Sequence, residues 1–263
     1  MTSTSERGPG SAQESDFGFR RVASDEHPGL VRRVFDSVAD RYDLMNDLMS
    51  GGLHRLWKRA LIDWLAPRPG MRLIDVAGGT GDVALRFLAR AEQRTTEGEK
   101  ATAVIVDPNE AMLRKGRDKA LDEGRVAGVG FICAPAEALP LAAGCADACT
   151  ISFGLRNVTD RDAALREMRQ VLKPGGHFLC LEFSPAVLPS LRAAYDAYSF
   201  RVLPWLGEVV AHDRDAYRYL AESIRRFPAP DALAAEMVAA GFGNVRWRGH
   251  SGGIVAIHSG WRI

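Results

Sequence analysis

The stretch Met71-Arg72-Leu73-Ile74-Asp75-Val76-Ala77-Gly78-Gly79-Thr80-Gly81-Asp82-Val83-Ala84 decides the fold. Its first half, Met71 to Val76, is an apolar run of strand length. From Asp82 to about Ala91 the apolar residues Val83, Ala84, Phe87 and Leu88 recur at helical spacing. Glycines between a strand and a helix let a ligand come close to the backbone. In an open parallel sheet that turn faces the ligand crevice. The helix N-terminus behind it offers unpaired N–H groups to a carboxylate. Asp75 is placed to hold an amino group, directly or through water. Gly79, Gly81 and Ala84 also satisfy the G-x-G-x-x-A dinucleotide pattern, so the turn alone leaves the ligand open, including no ligand at all.

Downstream the alternation continues. Strands are predicted at Thr102 to Val106, Val129 to Cys133, Ala146 to Ser152 and His177 to Phe183, with helices at Glu110 to Leu121 and Asp160 to Leu172. Thr159 and Asp162 have capping-box spacing, and Lys173-Pro174-Gly175-Gly176 ends that helix. Such alternation predicts a parallel sheet covered on both faces. Asp107 closes the second strand, where an acid either accepts hydrogen bonds from both ribose hydroxyls or caps the next helix. With the glycine turn in one βαβ unit, it favours a nucleoside-containing cofactor. After a helix from Asp231 to Ala240, short strands at Asn244 to Arg248 and Ile254 to His258 are joined closely enough for an antiparallel hairpin. An antiparallel last strand inserted into the sheet separates the Rossmann-like methyltransferase architecture from nicotinamide domains. The predicted fold is therefore α/β: a seven-stranded, mostly parallel sheet with an antiparallel last strand and an N-terminal helical cap.

Upstream, Leu30 to Ala39 and Trp57 to Leu65 carry helical stripes, ended by Pro67, Pro69 and Gly70. Residues 1–28, rich in Ser, Gly, Glu and Arg, are predicted to be a disordered tail. The predicted domain covers 29–263, with a helical cap at 29–69 and a substrate-lid insertion at 184–230. Hydrophobic residues make up 46% of the 263, enough for a large core, and the net charge of +1 argues against a nucleic-acid partner. No run reaches the roughly 18–20 apolar residues of a membrane span, and the N-terminus lacks a secretory core. Cys133, Cys145, Cys149 and Cys180 fit no common zinc spacing and are expected to be buried free thiols of a reduced cytoplasm.

From about Val34 onward the chain resembles the ubiquinone/menaquinone biosynthesis C-methyltransferases. The most specific segment is Thr150-Ile151-Ser152-Phe153-Gly154-Leu155-Arg156-Asn157-Val158-Thr159-Asp160. Ala136 to Pro140, Val171 to Gly176, Leu181 to Ser184, Tyr195 to Phe200, Tyr217 to Pro228 and Gly252 to His258 also match. The resemblance implies S-adenosylmethionine as cofactor and methyl transfer to a ring carbon of a polyprenylated benzoquinol or demethylmenaquinol. It carries cofactor contacts onto Thr80, Asp107, Ala136 and Ser152, beside Asp75, Gly79 and Gly81 of the turn. Where the family usually has Asn or Asp to meet adenine, this chain has Pro135, which offers neither a polar side chain nor an N–H. No metal is implied, because the sulfonium methyl is already electrophilic.

The acceptor carbon becomes nucleophilic when the ring hydroxyl ortho to it loses its proton. Arg156 is a candidate for stabilising that oxygen, or else a salt bridge that fixes its loop; Asn157 can bond the same ring. Tyr42, Asp43 and His54 of the cap either lie over the acceptor or are structural, and Glu182 is a further candidate base. The aromatics from Tyr195 to Tyr219 either wall the acceptor pocket or pack the core. Arg218, Arg225 and Arg226, interleaved with Tyr217, Tyr219, Leu220, Ile224 and Phe227, belong either to a lid that touches the membrane surface reversibly or to a helix packed on the sheet with a solvated basic edge. The expected setting is cytoplasmic and peripheral to the membrane, as a homodimer or in a quinone-biosynthesis complex.

Overall fold

The computed structural model describes residues 14–38, 42–93, 100–125, 127–202, 205, 208 and 214–263. They begin with an antiparallel hairpin, β1 (Glu14–Phe17) and β2 (Arg20–Ala23). Within the segment predicted to be a tail to Pro28, the described residues from Glu14 onward thus form regular structure; residues 1–13 lie outside the described residues. The reason is one aromatic side chain. Phe17 is buried and stacks on Tyr219 with ring centroids 4.2 Å apart, and burying a ring offsets the entropy of ordering two short strands. Gly18 makes the turn with φ 61°, and a Cβ there would lie 2.4 Å from Glu222 Oε2.

Three helices follow: α1 (His27–Val38), α2 (Tyr42–Ser50) and α3 (His54–Leu65). The sequence predicts α1 and α3; α2 adds a third, which buries Met45 and Met49. The chain leaves α3 through Ala66 at φ 52°, just before Pro67. The main sheet then forms from β3 (Arg72–Val76), β4 (Thr102–Asp107), β5 (Val129–Cys133), β6 (Ala146–Ser152), β7 (Leu172–Phe183), β8 (Gly243–His250) and β9 (Val255–Trp261). Its order is β5-β4-β3-β6-β7-β9-β8. The first five strands pair in parallel, and β9 runs antiparallel to both of its neighbours. This is the predicted sheet, with the antiparallel last strand inserted inside the edge.

Helices α4 (Asp82–Glu92), α5 (Glu110–Asp122) and α6 (Arg161–Val171) make the crossovers. Beyond the sheet's fifth strand come α7 (Pro189–Ala197), a π-helical turn at Tyr198–Val202, α8 (Arg214–Arg226) and α9 (Pro230–Ala239). Alternate strand residues face opposite cores. Leu73, Ile105, Leu179 and Leu181 pack on one side with Phe87, Leu61 and Leu220. Ile74, Val106, Phe178 and Cys180 pack on the other with Leu165, Met168 and Leu233.

Two smaller differences have local causes. β7 starts at Leu172 rather than His177, because the Lys-Pro-Gly-Gly turn is itself held in place: Gly175 N–H donates to Arg262 O, and Arg262 N–H donates to Gly176 O. Of the cysteines, Cys149 and Cys180 are buried and Cys145 partly so, but Cys133 is exposed at the end of β5, against expectation.

Candidate active site

The C-terminal ends of β3, β4 and β6 meet below a cleft of about 350 Å³. The chain reverses direction across the sheet between β3 and β6, the place where open α/β sheets bind ligands. The floor is Ala77, Gly79, Asp107, Pro135, Ala136, Phe153 and Asn157; Met112 of α5 and Pro28, Val31 and Phe35 of α1 form walls.

Asp107 is nearly buried at the tip of β4. Its carboxylate accepts the N–H of Gly79 (2.9 Å) and of Asn109 (2.8 Å) and still faces the cleft. Burial raises its pKa to about 6, against those two N–H groups, which favour the charge. Gly79 and Gly81 have φ 54° and 76°. A Cβ at Gly81 would meet Ile105 Cδ1 at 2.7 Å, so a side chain there is disfavoured by both space and φ. Under it lies Asp75, in register with Thr150, whose hydroxyl donates to Asp75 Oδ1 at 2.7 Å. Burial pushes the Asp75 carboxyl up to about 7. Asp75 Oδ2 and Ser152 Oγ are buried without a hydrogen-bond partner. Thr80 is buried beside them in the turn. Of this set Gly79 and Asp107 line the cleft, whereas Asp75, Thr80, Gly81 and Ser152 lie outside its lining.

The candidates for chemistry are dispersed. Asn157 lines the cleft, and its Oδ1 accepts from Tyr219 Oη at 3.0 Å. Arg156 does not line it. Its guanidinium is buried against Glu182 at 2.6 Å, donates to Phe153 O and lies over the Phe183 ring. The salt-bridge alternative named for Arg156 is thus the geometry present. Glu182 is raised by burial, against the neighbouring Arg156 charge. His54 is buried on α3 and bonded to Asp47 at 2.8 Å, with Nδ1 unpartnered. Burial and then Lys58 keep its pKa low. The side chains of Tyr42 and Asp43 lie outside the described residues.

On α8 the geometry present is that of the packed-helix alternative. Tyr217, Tyr219, Leu220, Ile224 and Phe227 are all buried. Arg225 pairs with Asp196 and lies over the rings of Tyr195 and Phe200. The helix packs down because its aromatic face finds a core; Arg226 alone of that arginine pair is exposed. Sequence reasoning also missed Asn109, whose side chain caps α5 at Met112 N–H and ties it to Asp36 of α1 at 2.7 Å. An Asn directly before an acidic first turn was the available signal.

A sheet of this order, with one antiparallel strand inside its edge and an acid-tipped second strand beside a glycine turn, defines an S-adenosylmethionine-dependent methyltransferase fold. The same fold is seen in a methyltransferase of that cofactor from Thermotoga maritima, with a TM-score of 0.62 at 18% identity over 89% of this chain and 100% of that one. A second, from Aquifex aeolicus, gives 0.53 at 15% identity over 78% and 89%. Residues 21–262 match the ubiE/COQ5 methyltransferase family, and the chain belongs to it. It is 52% identical to the ubiquinone/menaquinone biosynthesis C-methyltransferase UbiE of Acidiphilium cryptum, over 96% of this chain and 98% of that protein. To the protein of the same name from Methylobacterium nodulans it is 56% identical, over 95% and 97%.

Proposed function

We propose that this enzyme methylates a ring carbon of a reduced, polyprenylated quinol, a benzoquinol or a demethylmenaquinol, in ubiquinone/menaquinone biosynthesis. The observation that carries the reading is full-length likeness at more than half identity to proteins of that activity, joined to a cleft that ends in Asn157. The nicotinamide reading of the glycine turn falls with the family membership.

S-adenosylmethionine supplies an electrophilic methyl group when bound. The residues' part is to hold and orient. Asp107 would take the ribose hydroxyls, and Asp75, Gly79, Thr80, Gly81 and Ser152 the amino-acid end. Pro135 and Ala136 would present an apolar edge and backbone to adenine. Asn157, the one of these candidates whose described side chain reaches the cleft, is assigned to the acceptor ring. Tyr219 holds Asn157 Oδ1, and Nδ2, which donates one hydrogen to Phe153 O at 3.5 Å, has a second to donate to the ring oxygen as that oxygen loses its proton. Arg156 acts from behind this carboxamide, where Glu182 tempers its charge, and its bond to Phe153 O fixes the turn on which Asn157 sits. Walls from α1 exclude water from the transfer. His54, neutral by its low pKa, and Tyr42 are kept as relays from the cap.

Contact with the bilayer that stores the tailed acceptor is proposed to be reversible; among the described residues no helix is long and apolar enough to cross a membrane. Cytoplasmic residence, and a homodimer or a complex with other quinone-biosynthesis proteins, belong to the same proposal. The test is a methylation assay under reducing conditions with each quinol, read by mass spectrometry. One added methyl on the ring is expected; cofactor binding with no product from either quinol would overturn the reading.

A further inference from the structure

Six polar side chains line the cofactor cleft, and five of them are already engaged or assigned. Asp107 is assigned to the ribose and Asn157 to the acceptor ring. Both ends of the Asn109 carboxamide are taken: Oδ1 accepts Met112 N–H at 3.1 Å, and Nδ2 donates to Asp36 at 2.7 Å. Thr159 Oγ1 is bonded to His27 Nδ1 at 2.9 Å. Arg32 stands at the exposed mouth, 3.7 Å from Asp36. Glu137 is the sixth. One of its oxygens, Oε1, accepts the N–H groups of Thr159 at 2.9 Å and Asp160 at 3.3 Å, so the side chain spans from the exit of β5 to the loop after β6. The other, Oε2, has no hydrogen-bond partner among the described residues.

The sheet decides which part of the cofactor Glu137 meets. The order β5-β4-β3 sets the Pro135-Ala136-Glu137 stretch, Asp107 and the glycine turn side by side across the floor. Ala134 N–H donates to Asp107 O at 3.3 Å and holds the first two together. With the ribose on Asp107 and the amino-acid end toward the glycine turn, the base extends over the stretch after β5. Pro108, Met112 and Val158 of the lining offer apolar surface to the faces of a planar ring. Its edge needs polar partners, and Pro135 has neither a polar side chain nor an N–H.

We propose that Glu137 reads the base: its Oε2 accepts a hydrogen bond from the exocyclic amino group of adenine, while the Ala136 N–H donates to the ring nitrogen beside it. The proposal rests on the placement of the ribose at Asp107. Two backbone N–H groups hold the carboxylate in place before the base arrives, so little freedom is lost on binding. A base with a carbonyl in place of the amino group sets oxygen against oxygen and leaves both without a donor. Glu137 is thus a specificity residue for the cofactor, at the end of the cleft away from the chemistry.

The test exchanges donor and acceptor on both sides of this contact. In Glu137→Gln, the N–H groups of Thr159 and Asp160 keep the amide oxygen where Oε1 stands, and the amide nitrogen, a donor, takes the place of Oε2. The probes are S-adenosylhomocysteine and S-inosylhomocysteine, in which a carbonyl replaces the adenine amino group, titrated calorimetrically into each protein. The wild type should prefer the adenine compound. In the variant the ratio of affinities should move toward the inosine compound by roughly tenfold or more, the measure of one hydrogen bond to a charged group. The melting temperature should hold, because the tie to Thr159 and Asp160 is kept. Hypoxanthine also turns the neighbouring ring nitrogen from acceptor to donor, but that difference is common to both proteins and cancels in the change of ratio. An unchanged ratio overturns the assignment, whether the two affinities stay as they were or fall together; in the second case Glu137 is only a tie between loops. Asp107→Ala separates this failure from that of the ribose placement. It should weaken both compounds by the same factor. If it weakens neither while Glu137→Gln still shifts the ratio, Glu137 keeps the base and Asp107 loses the ribose.

Discussion

Asp107 combines two opposing properties: burial, which disfavours its charge, and a proposed ribose-binding role that requires it. With a pKa raised to about 6, it is ionised at neutral pH and protonated below. A protonated carboxyl surrenders acceptor capacity, so calorimetric affinity for S-adenosylmethionine should fall as pH drops through about 6. Asp107→Ala should lose tenfold or more at neutral pH, since hydrogen bonds to a charged group contribute about 1.5–3 kcal/mol each. An affinity that is flat with pH and indifferent to the substitution would remove the ribose assignment. Arg156 calls for a different experiment. Arg156→Ala strands Glu182 as a buried charge and should destabilise the fold by about 3–5 kcal/mol, so lost turnover alone decides nothing. Arg156→Met with Glu182→Leu removes both charges and should recover most of the melting temperature. If turnover stays low in that double variant, the Arg156–Glu182 pair acts on the reaction; if turnover returns, its work is structural. Asp75, Asp107 and the glycines were legible because a strand end followed by a turn restricts what can stand there. The partner of Arg156 was not legible: Glu182 lies 26 positions away, and only the pairing of β6 with β7 brings it near.

The βα units were legible almost to the residue, because their apolar periods switch cleanly from two to about 3.6. β5 and β6 have the predicted bounds. The hairpin at Glu14–Ala23 was not, since its two short strands carry one buried aromatic among polar residues. For α8 the sequence left lid and packed helix open, because periodicity reports that a face is apolar, not what covers it. The hairpin's hold on α8 is testable. It consists of the Phe17–Tyr219 stack and the bond from Phe19 N–H to Glu222 Oε2 at 3.0 Å. Phe17→Ala should cost about 2–4 kcal/mol, below or within the range for aromatic truncation in a full core. Hydrogen exchange should then speed up in β1 and β2 while β3, β4 and β6 keep their protection. Uniform acceleration over the whole sheet would show that the hairpin is integral to the core.

Across the whole molecule, buried ionisable groups pull stability in opposite directions. His177, held down to about 4, together with His27, His54, His250 and His258, binds protons more weakly folded than unfolded, so stability is lost as pH falls below about 6.5. Asp75 and Asp107, raised to about 7 and 6, bind them more tightly folded, so stability is lost as pH rises from about 4 through those values. Above about 6.5 Asp75 still has most of its titration ahead. From this group the ligand-free protein should lose about 1 kcal/mol per pH unit there, below the limit of about 1.4 for one proton. Asp75→Asn should flatten that slope in denaturant titrations; an unchanged slope would mean that Asp75 titrates elsewhere. The position of β9 has a consequence for synthesis. β3, β4 and β6, which carry the cofactor cleft, emerge from the ribosome well before it, yet β9 joins β7 to β8 and is the last strand of the sheet to be made. Until it arrives, the nascent chain holds a nearly finished binding site beside an open, apolar β7 edge, the kind of surface that recruits foreign strands. A message that stops translation after Gly249 should yield aggregates rather than a weak enzyme, although every residue assigned here to cofactor and ring has already been made.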